Sequence, residues 1–354
     1  MSGNHPGQTS HVQTVLGTIP KEAMGVTLSH EHCLIDLTCT LDRSQGGLDK
    51  RVITEPLSFK NVGHVRYHPL DYRDNLLMLD EGLAIDELRL FKAAGGSTVV
   101  DMTNRDLHRD PLALARISKA TGLHILMGSG YYEAQAQDAR KMEALDEEQI
   151  TEEIVTDIQD GVDGTGIRSG LIGEIGCSWP LKKVECKVLR AAGVAQRHIG
   201  APLVVHPGRD ETAPNDLVSI LREVGADLSH TVICHIDRTV FRPENRYKLA
   251  EAGCQLAFDL WGTEGYYPRA LSVTDVLNDT QRIAAIKDLI SRGYGRQILI
   301  SHDICWKCRY RTFGGHGYAH ILTNAVPLMQ DRGMSQAEID MLLIKNPMQF
   351  YSFG

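Results

Sequence analysis

Short apolar, β-branched runs recur along this chain, and a longer amphipathic stretch separates each from the next. They fall at residues 26–30, 97–103, 124–130, 170–176, 202–207, 231–237, 254–261 and 297–303. Runs this short and this continuously apolar are what parallel strands covered on both faces require. Eight of them, alternating with helices, are the strands of a closed (β/α)8 TIM barrel. Helical spacing marks 184–198, 215–224 and 280–292. It also marks 71–94, where Leu76, Leu77, Leu83, Leu88 and Phe91 precede Gly95 and Gly96 as a C-terminal stop. Residues 12–19 read as a hairpin closing the barrel bottom, and 334–350 as a covering helix with Ser335 at its N-cap. No linker interrupts the pattern, so residues 1–354 are expected to form one barrel domain. Residues 39–70 depart from it as a long connection that should border the active-site face.

Such a barrel gathers the carboxyl ends of its strands at one face, and here those ends carry one kind of chemistry. His30 and His32 stand two apart, so a strand turns both to the same side. Glu174, His206, His235 and Asp303 each close another apolar run. Imidazoles and carboxylates are zinc-type donors, and six are too many for one tetrahedral ion. They divide into His30, His32 and Asp303 on one side and His206 and His235 on the other. Glu174, with two oxygens, is able to bridge. A binuclear centre with two divalent ions, zinc by donor type, is therefore expected at the C-terminal ends of the strands. Two ions sharing a water lower its pKa and polarise a carbonyl or phosphoryl oxygen. Any one of these histidines could be a structural core residue, but that reading must account for all of them at strand ends.

Other signals carry less. The eight cysteines are scattered and read as buried thiols of a reducing compartment, and Cys305 and Cys308 form a lone C-x-x-C with no second pair. His316 and His320 read as helix-cap and packing residues before ligands. Arg238, Lys307, Arg309 and Arg311 are cations near the expected mouth, suited to a small anionic substrate. Tyr132 and Trp261, at the ends of strands three and seven, are candidate pocket walls. A net charge of -8 with no basic tract argues against nucleic acid. The absence of a signal-type N-terminus or a membrane-length apolar stretch points to a cytoplasmic chain without a membrane partner. A homodimer is compatible with all of this.

At these residues the chain resembles the phosphotriesterase family of the amidohydrolase superfamily. The matching strings include Thr27-Leu-Ser-His-Glu-His32, Gly170-Leu-Ile-Gly-Glu-Ile-Gly-Cys-Ser-Trp-Pro180, His206-Pro-Gly-Arg209, His235-Ile-Asp-Arg238, the stretch 258–264 and Gly314-Gly-His-Gly-Tyr318. The resemblance implies the barrel, the binuclear centre and the six ligands. It also implies that Asp303 orients the attacking hydroxide and accepts its proton. Phosphotriesterases proper bridge their metals with a carboxylated lysine, whose place falls on Gly173. Glu174 lies one residue later, on the opposite face of a regular strand, so a local bulge is expected to turn it inward. The glutamate-bridged branch is associated with hydrolysis of N-acetyltaurine to taurine and acetate, which makes a small anionic amide the implied substrate. Two alternatives remain at this stage: a TatD-like metal-dependent phosphoesterase or nuclease, and a non-catalytic metal-stabilised binding protein.

Overall fold

A computed structural model describes residues 11–41, 54–263 and 275–353. All eight expected runs form strands: β1 (Thr27–Glu31), β2 (Thr98–Asp101), β3 (His124–Met127), β4 (Ile172–Gly176), β5 (Leu203–His206), β6 (Thr231–Ile233), β7 (Gln255–Phe258) and β8 (Ile298–Ile300). Neighbours pair in parallel from β1 to β3 and from β4 to β8. Hydrogen bonds close the two seams. Gly173 donates to Ser129 O at 2.7 Å between β4 and the end of β3, and Asp303 donates to His30 O at 3.1 Å between β8 and β1. The result is the TIM barrel that the run spacing predicts.

Alternation along each strand sorts the apolar side chains. Val100, Leu126, Leu171, Val204, Val232, Ala257 and Leu299 fill the interior together with Val12, Met24, Phe350 and Tyr351. Residues on the other face, including Val99, Ile125, Leu203, Val205, Ile233, Leu256 and Ile300, pack in a second cluster with helix residues such as Phe91, Ile117, Leu189 and Leu221. Val12 belongs to the hairpin of His11–Thr14 paired with Gly17–Pro20, and it plugs the amino end of the barrel as expected.

The helical segments lie between the strands, with one correction. The stretch 71–94 is not one helix. Helix α1 (Glu81–Ala93) starts only after Asp80, whose carboxylate accepts from Leu83 N at 3.0 Å. Upstream, Leu77–Met78 instead pairs antiparallel with Ile35–Asp36, and Asp74 takes Leu57 N and Lys307 Nζ. An N-cap bond and a strand pairing together outcompete helical spacing there. Helices α2 (Lys183–Ile199), α3 (Ala213–Glu223) and α4 (Asp279–Ser291) occupy their expected places. Ser335 caps the C-terminal helix through a reciprocal bond set with Glu338, and that helix passes through a π-type turn at Met341–Lys345 before reaching Phe350. Of the long connection, 42–53 lie outside the described residues, and Val62–Tyr67 forms a short helix.

Candidate metal centre

His30, His32, Glu174, His206, His235 and Asp303 converge at the carboxyl end of the barrel, and five of the six are at most 4 % exposed. For His206 the route is simple alternation, since Val204 points inward and His206 follows it two residues later. Two others arrive by backbone irregularity. The β4–β5 register shifts between Ile172 and Ile175, and Gly173 has φ 124°, which turns Glu174 inward against the strand's alternation. A Cβ at Gly173 would lie 2.4 Å from Val204 O, so only glycine fits there. His235 follows inward-facing Cys234 and on a regular strand would point away. Its left-handed φ of 56° ends the strand and returns the ring to the centre.

The side chains face one another at a spacing that fits shared ions. His32 Nε2 lies 3.3 Å from Asp303 Oδ1 and 3.7 Å from Glu174 Oε1. His30 Nε2 lies 3.5 Å from Glu174 Oε2 and 3.6 Å from Asp303 Oδ1. Glu174 Oε2 lies 3.0 Å from His206 Nδ1 and 3.6 Å from His235 Nε2. Ligands held about 2.05 Å from a tetrahedral ion stand about 3.3 Å apart, which matches these separations. Both ring nitrogens of His30 are buried and make no hydrogen bond. An unsatisfied buried imidazole is costly unless something else fills its lone pair. Among the described residues, three groups can hold a metal: His30, His32 and Asp303; Glu174, His206 and His235; and His30, His235 and Asp259.

Residues behind the centre settle which atoms face it. Thr103 Oγ1 donates to Leu34 O, so at 2.9 Å it accepts from His32 Nδ1 and leaves His32 Nε2 for the centre. Asp259 straddles two rings, with Oδ1 2.8 Å from His235 Nδ1 and Oδ2 3.3 Å from His30 Nδ1. Its oxygens also receive His235 N at 3.0 and 3.1 Å. With its oxygens so engaged, Asp259 orients histidines better than it would ligate. Glu133 Oε1 lies 3.4 Å from His206 Nε2, leaving Nδ1 to face Glu174. His235 Nε2 and His206 Nδ1 stand 2.9 Å apart, and two such nitrogens need a proton or a cation between them.

The electrostatics suit metal binding. Burial lowers the His30 pKa, and burial with Arg238 and His206 nearby lowers that of His235 well below the usual imidazole value, so both rings are held neutral. Burial would raise the carboxyls of Glu174 and Asp303, but the surrounding histidines outweigh it and lower both. Neutral imidazoles and ionised carboxylates are the ligand forms a divalent ion takes. His32 is the exception: burial opposes its charge, yet the Asp303 hydrogen bond and the Asp303 and Glu174 charges carry it up to about 9. The carboxylates that raise it are the same charges that a bound cation would balance.

The centre opens into a narrow cleft. Arg209, Arg238 and Arg309 give it cationic walls, while Ile35, Leu37, Leu70, Leu260 and Trp306 give it an apolar side. Tyr132 lines it and packs edge-on against His206. Arg238 Nη2 is 3.1 Å from His206 Nε2, and the Arg309 guanidinium lies over the Trp306 ring at 4.4 Å. Three expectations fail here. Trp261 is fully buried in the core, and its neighbour Leu260 takes the wall position. Lys307 is spent on Asp74, and Arg311 is exposed, with its backbone N–H on Glu87. The cysteines are all free, so Cys305 and Cys308 form no disulfide. His316 stacks on His302, and His320 pairs with Asp279 at 2.7 Å. Sequence reasoning missed Asp259, Glu133 and Arg209 as parts of the site. Asp259 carried a readable signal, an acid directly after the seventh apolar run.

A parallel barrel whose strand ends present imidazoles and carboxylates around a cleft defines a metal-dependent hydrolase. The model of the phosphotriesterase family matches residues 10–351, and the chain belongs to that family. It is 41% identical over 345 residues to an N-acetyltaurine hydrolase of Tetraodon nigroviridis, covering 97% of this chain and 98% of that one. A resiniferatoxin-binding protein from Rhodobacter sphaeroides superposes with a TM-score of 0.92 at 36% identity, over 96% of this chain and 94% of the other. A phosphotriesterase homology protein from Escherichia coli, complexed with phosphate in its active site, gives 0.76 at 27% identity over 93% and 99%.

Proposed function

We propose that this chain is a binuclear metal-dependent amidohydrolase that cleaves N-acetyltaurine, a small N-acetylated anion, to taurine and acetate. The observation that carries the reading is the convergence of six donor side chains in a chain 41% identical to an N-acetyltaurine hydrolase over nearly its full length. The nuclease and non-catalytic alternatives have no comparable support. In this reading His30, His32 and Asp303 hold one divalent ion, His206 and His235 hold a second, and Glu174 bridges them, with zinc the metal that suits the donors. When bound, such ions supply a water of lowered pKa and polarise the substrate carbonyl. Asp303 orients the attacking water and accepts its proton. The carboxylate is well placed for this, because it touches His32 and His30 on one side and lines the cleft on the other. Arg238 and Arg309, joined by Arg209, receive the sulfonate by charge-assisted hydrogen bonds. Tyr132 and the apolar wall enclose the acetyl group. A cytoplasmic, homodimeric enzyme built as one catalytic domain completes the proposal.

The test is turnover by purified zinc-loaded protein of N-acetyltaurine, a neutral N-acetylalkylamine of equal length, and a phosphodiester. Rapid release of acetate from N-acetyltaurine alone is expected. Phosphodiester hydrolysis without amide cleavage, or no turnover, would overturn the reading.

A further inference from the structure

The glutamate between the two histidines of His30-Glu-His32 has no place among the ligands, yet it is fully buried. Its carboxylate reaches across the seam from β1 to β8. Oε1 accepts from Ser301 Oγ at 2.7 Å, from His302 N at 2.9 Å and from His302 Nδ1 at 2.7 Å. Oε2 accepts from Ile304 N at 2.9 Å. The His302 tautomer is settled on this evidence of bonding, because its Nε2 accepts from Ile321 N at 3.1 Å and only Nδ1 is left to donate. Two of the four donors are the backbone N–H groups flanking Asp303, so one carboxylate grips the chain immediately before and after that residue. Asp303 itself has φ 52°, in the left-handed region that residues other than glycine adopt sparingly, aspartate more readily than most. Its N–H donates to His30 O and its carbonyl accepts from Arg309 Nη1 at 2.7 Å.

We propose that Glu31 is a positioning residue for the reaction: its carboxylate is the template on which the turn after β8 is folded, and it thereby sets the reach of the Asp303 carboxylate toward the attacking water. A carboxylate suits this task because all four partners are donors. A glutamine would turn an NH2 group toward one or more of them, with no acceptor to meet it. The inference rests on the proposed role of Asp303, and the experiment separates the two.

The experiment is a double-mutant cycle on the zinc-loaded enzyme with N-acetyltaurine, using Glu31→Gln, Asp303→Asn and the pair. Glu31→Gln is expected to lower kcat about 100-fold, the usual consequence of a displacement near 1 Å. KM should change less than about threefold, since substrate binding does not depend on where the proton acceptor points, and kcat is read at saturating zinc because Asp303 is also a proposed metal ligand. In the Asp303→Asn background the same substitution should cost almost nothing, because the residue it acts through is already disabled. An equal loss in both backgrounds, or a rise in KM with kcat unchanged, overturns the positioning role. Should Glu31→Gln not fold, Ser301→Ala removes a single donor and keeps Glu31. A several-fold kcat loss that vanishes in Asp303→Asn is expected, and an unchanged kcat refutes the proposal. Wild-type protein without amidase activity, or Asp303→Asn at full activity, would instead refute the function on which this rests.

Discussion

Asp303 and Glu174 are chemically alike, but the barrel gives them different neighbours. Glu174 is 2 % exposed and lies within 3.7 Å of a nitrogen of each of the four histidines, whereas the Asp303 side chain is 14 % exposed and faces the cleft. The first arrangement suits holding cations together, the second suits handling a proton. Asp303→Asn is therefore expected to keep the fold and lose roughly 10²–10⁴-fold in kcat. Turnover near wild type at saturating zinc would show that another group takes the proton. His30→Ala and His206→Ala should each lower metal content and activity, with two ions per wild-type chain by elemental analysis. Arg238 makes a separate prediction. Its guanidinium lines the cleft, so Arg238→Ala should raise KM for N-acetyltaurine about 10- to 150-fold, the worth of one charge-assisted bond of about 1.5–3 kcal/mol. The neutral analogue should lose far less, and equal losses for the two would place the anion elsewhere.

Strand β4 shows what a single element contributes. A lysine-type bridge acquires its carboxylate only by reacting with carbon dioxide, while a glutamate brings one as synthesised. Reactivation of metal-free protein by zinc should therefore proceed equally fast in carbonate-free and bicarbonate buffer, and bicarbonate dependence would exclude Glu174 as the bridge. The bulge that delivers Glu174 depends on Gly173, where a side chain would meet Val204 O and φ is positive. Gly173→Ala should destabilise the protein by about 1–3 kcal/mol and lower metal content with it, read by thermal melting and metal analysis. This element also marks the boundary of what the sequence discloses. The eight strands were legible because parallel strands buried on both faces are apolar throughout. His30 and His32 were legible because residues two apart share a face, although β1 shifts register between outward-packed Leu28 and Glu31, and His206 was legible because it obeys alternation. Glu174 and His235 do not obey it. They reach the centre through a register shift and a left-handed residue, which no periodicity encodes. Trp261, Lys307 and Arg311 were misplaced for a related reason: past the last strand residue, direction is set by loop contacts such as Lys307 with Asp74.

At the scale of the molecule, the barrel separates chemistry from stability along its axis. One end carries the ligand cluster and the cleft. The other is closed by Val12, Met24, Phe350 and Tyr351, packed against the inward residues of the strands. The C-terminal segment is bound there by more than packing, since Tyr351 donates to Ser29 O at 2.8 Å and Phe353 pairs with His11. Ser29 directly precedes His30, so the bottom closure is tied to β1 one residue from a proposed ligand. The question is whether that tie transmits to the centre. The strands between are short and paired in parallel with their neighbours, and the interior is filled, so a void at the bottom has little means of moving the top. Phe350→Ala removes a ring only 3 % exposed and should cost about 3–5 kcal/mol in unfolding free energy. Metal content and kcat at a temperature well below melting should stay within about twofold of wild type. Denaturant unfolding and steady-state kinetics on the same preparation check both halves. A loss of kcat as large as that of Asp303→Asn would mean the two ends are mechanically coupled through β1, and the division of the barrel into a stabilising end and a reacting end would fail.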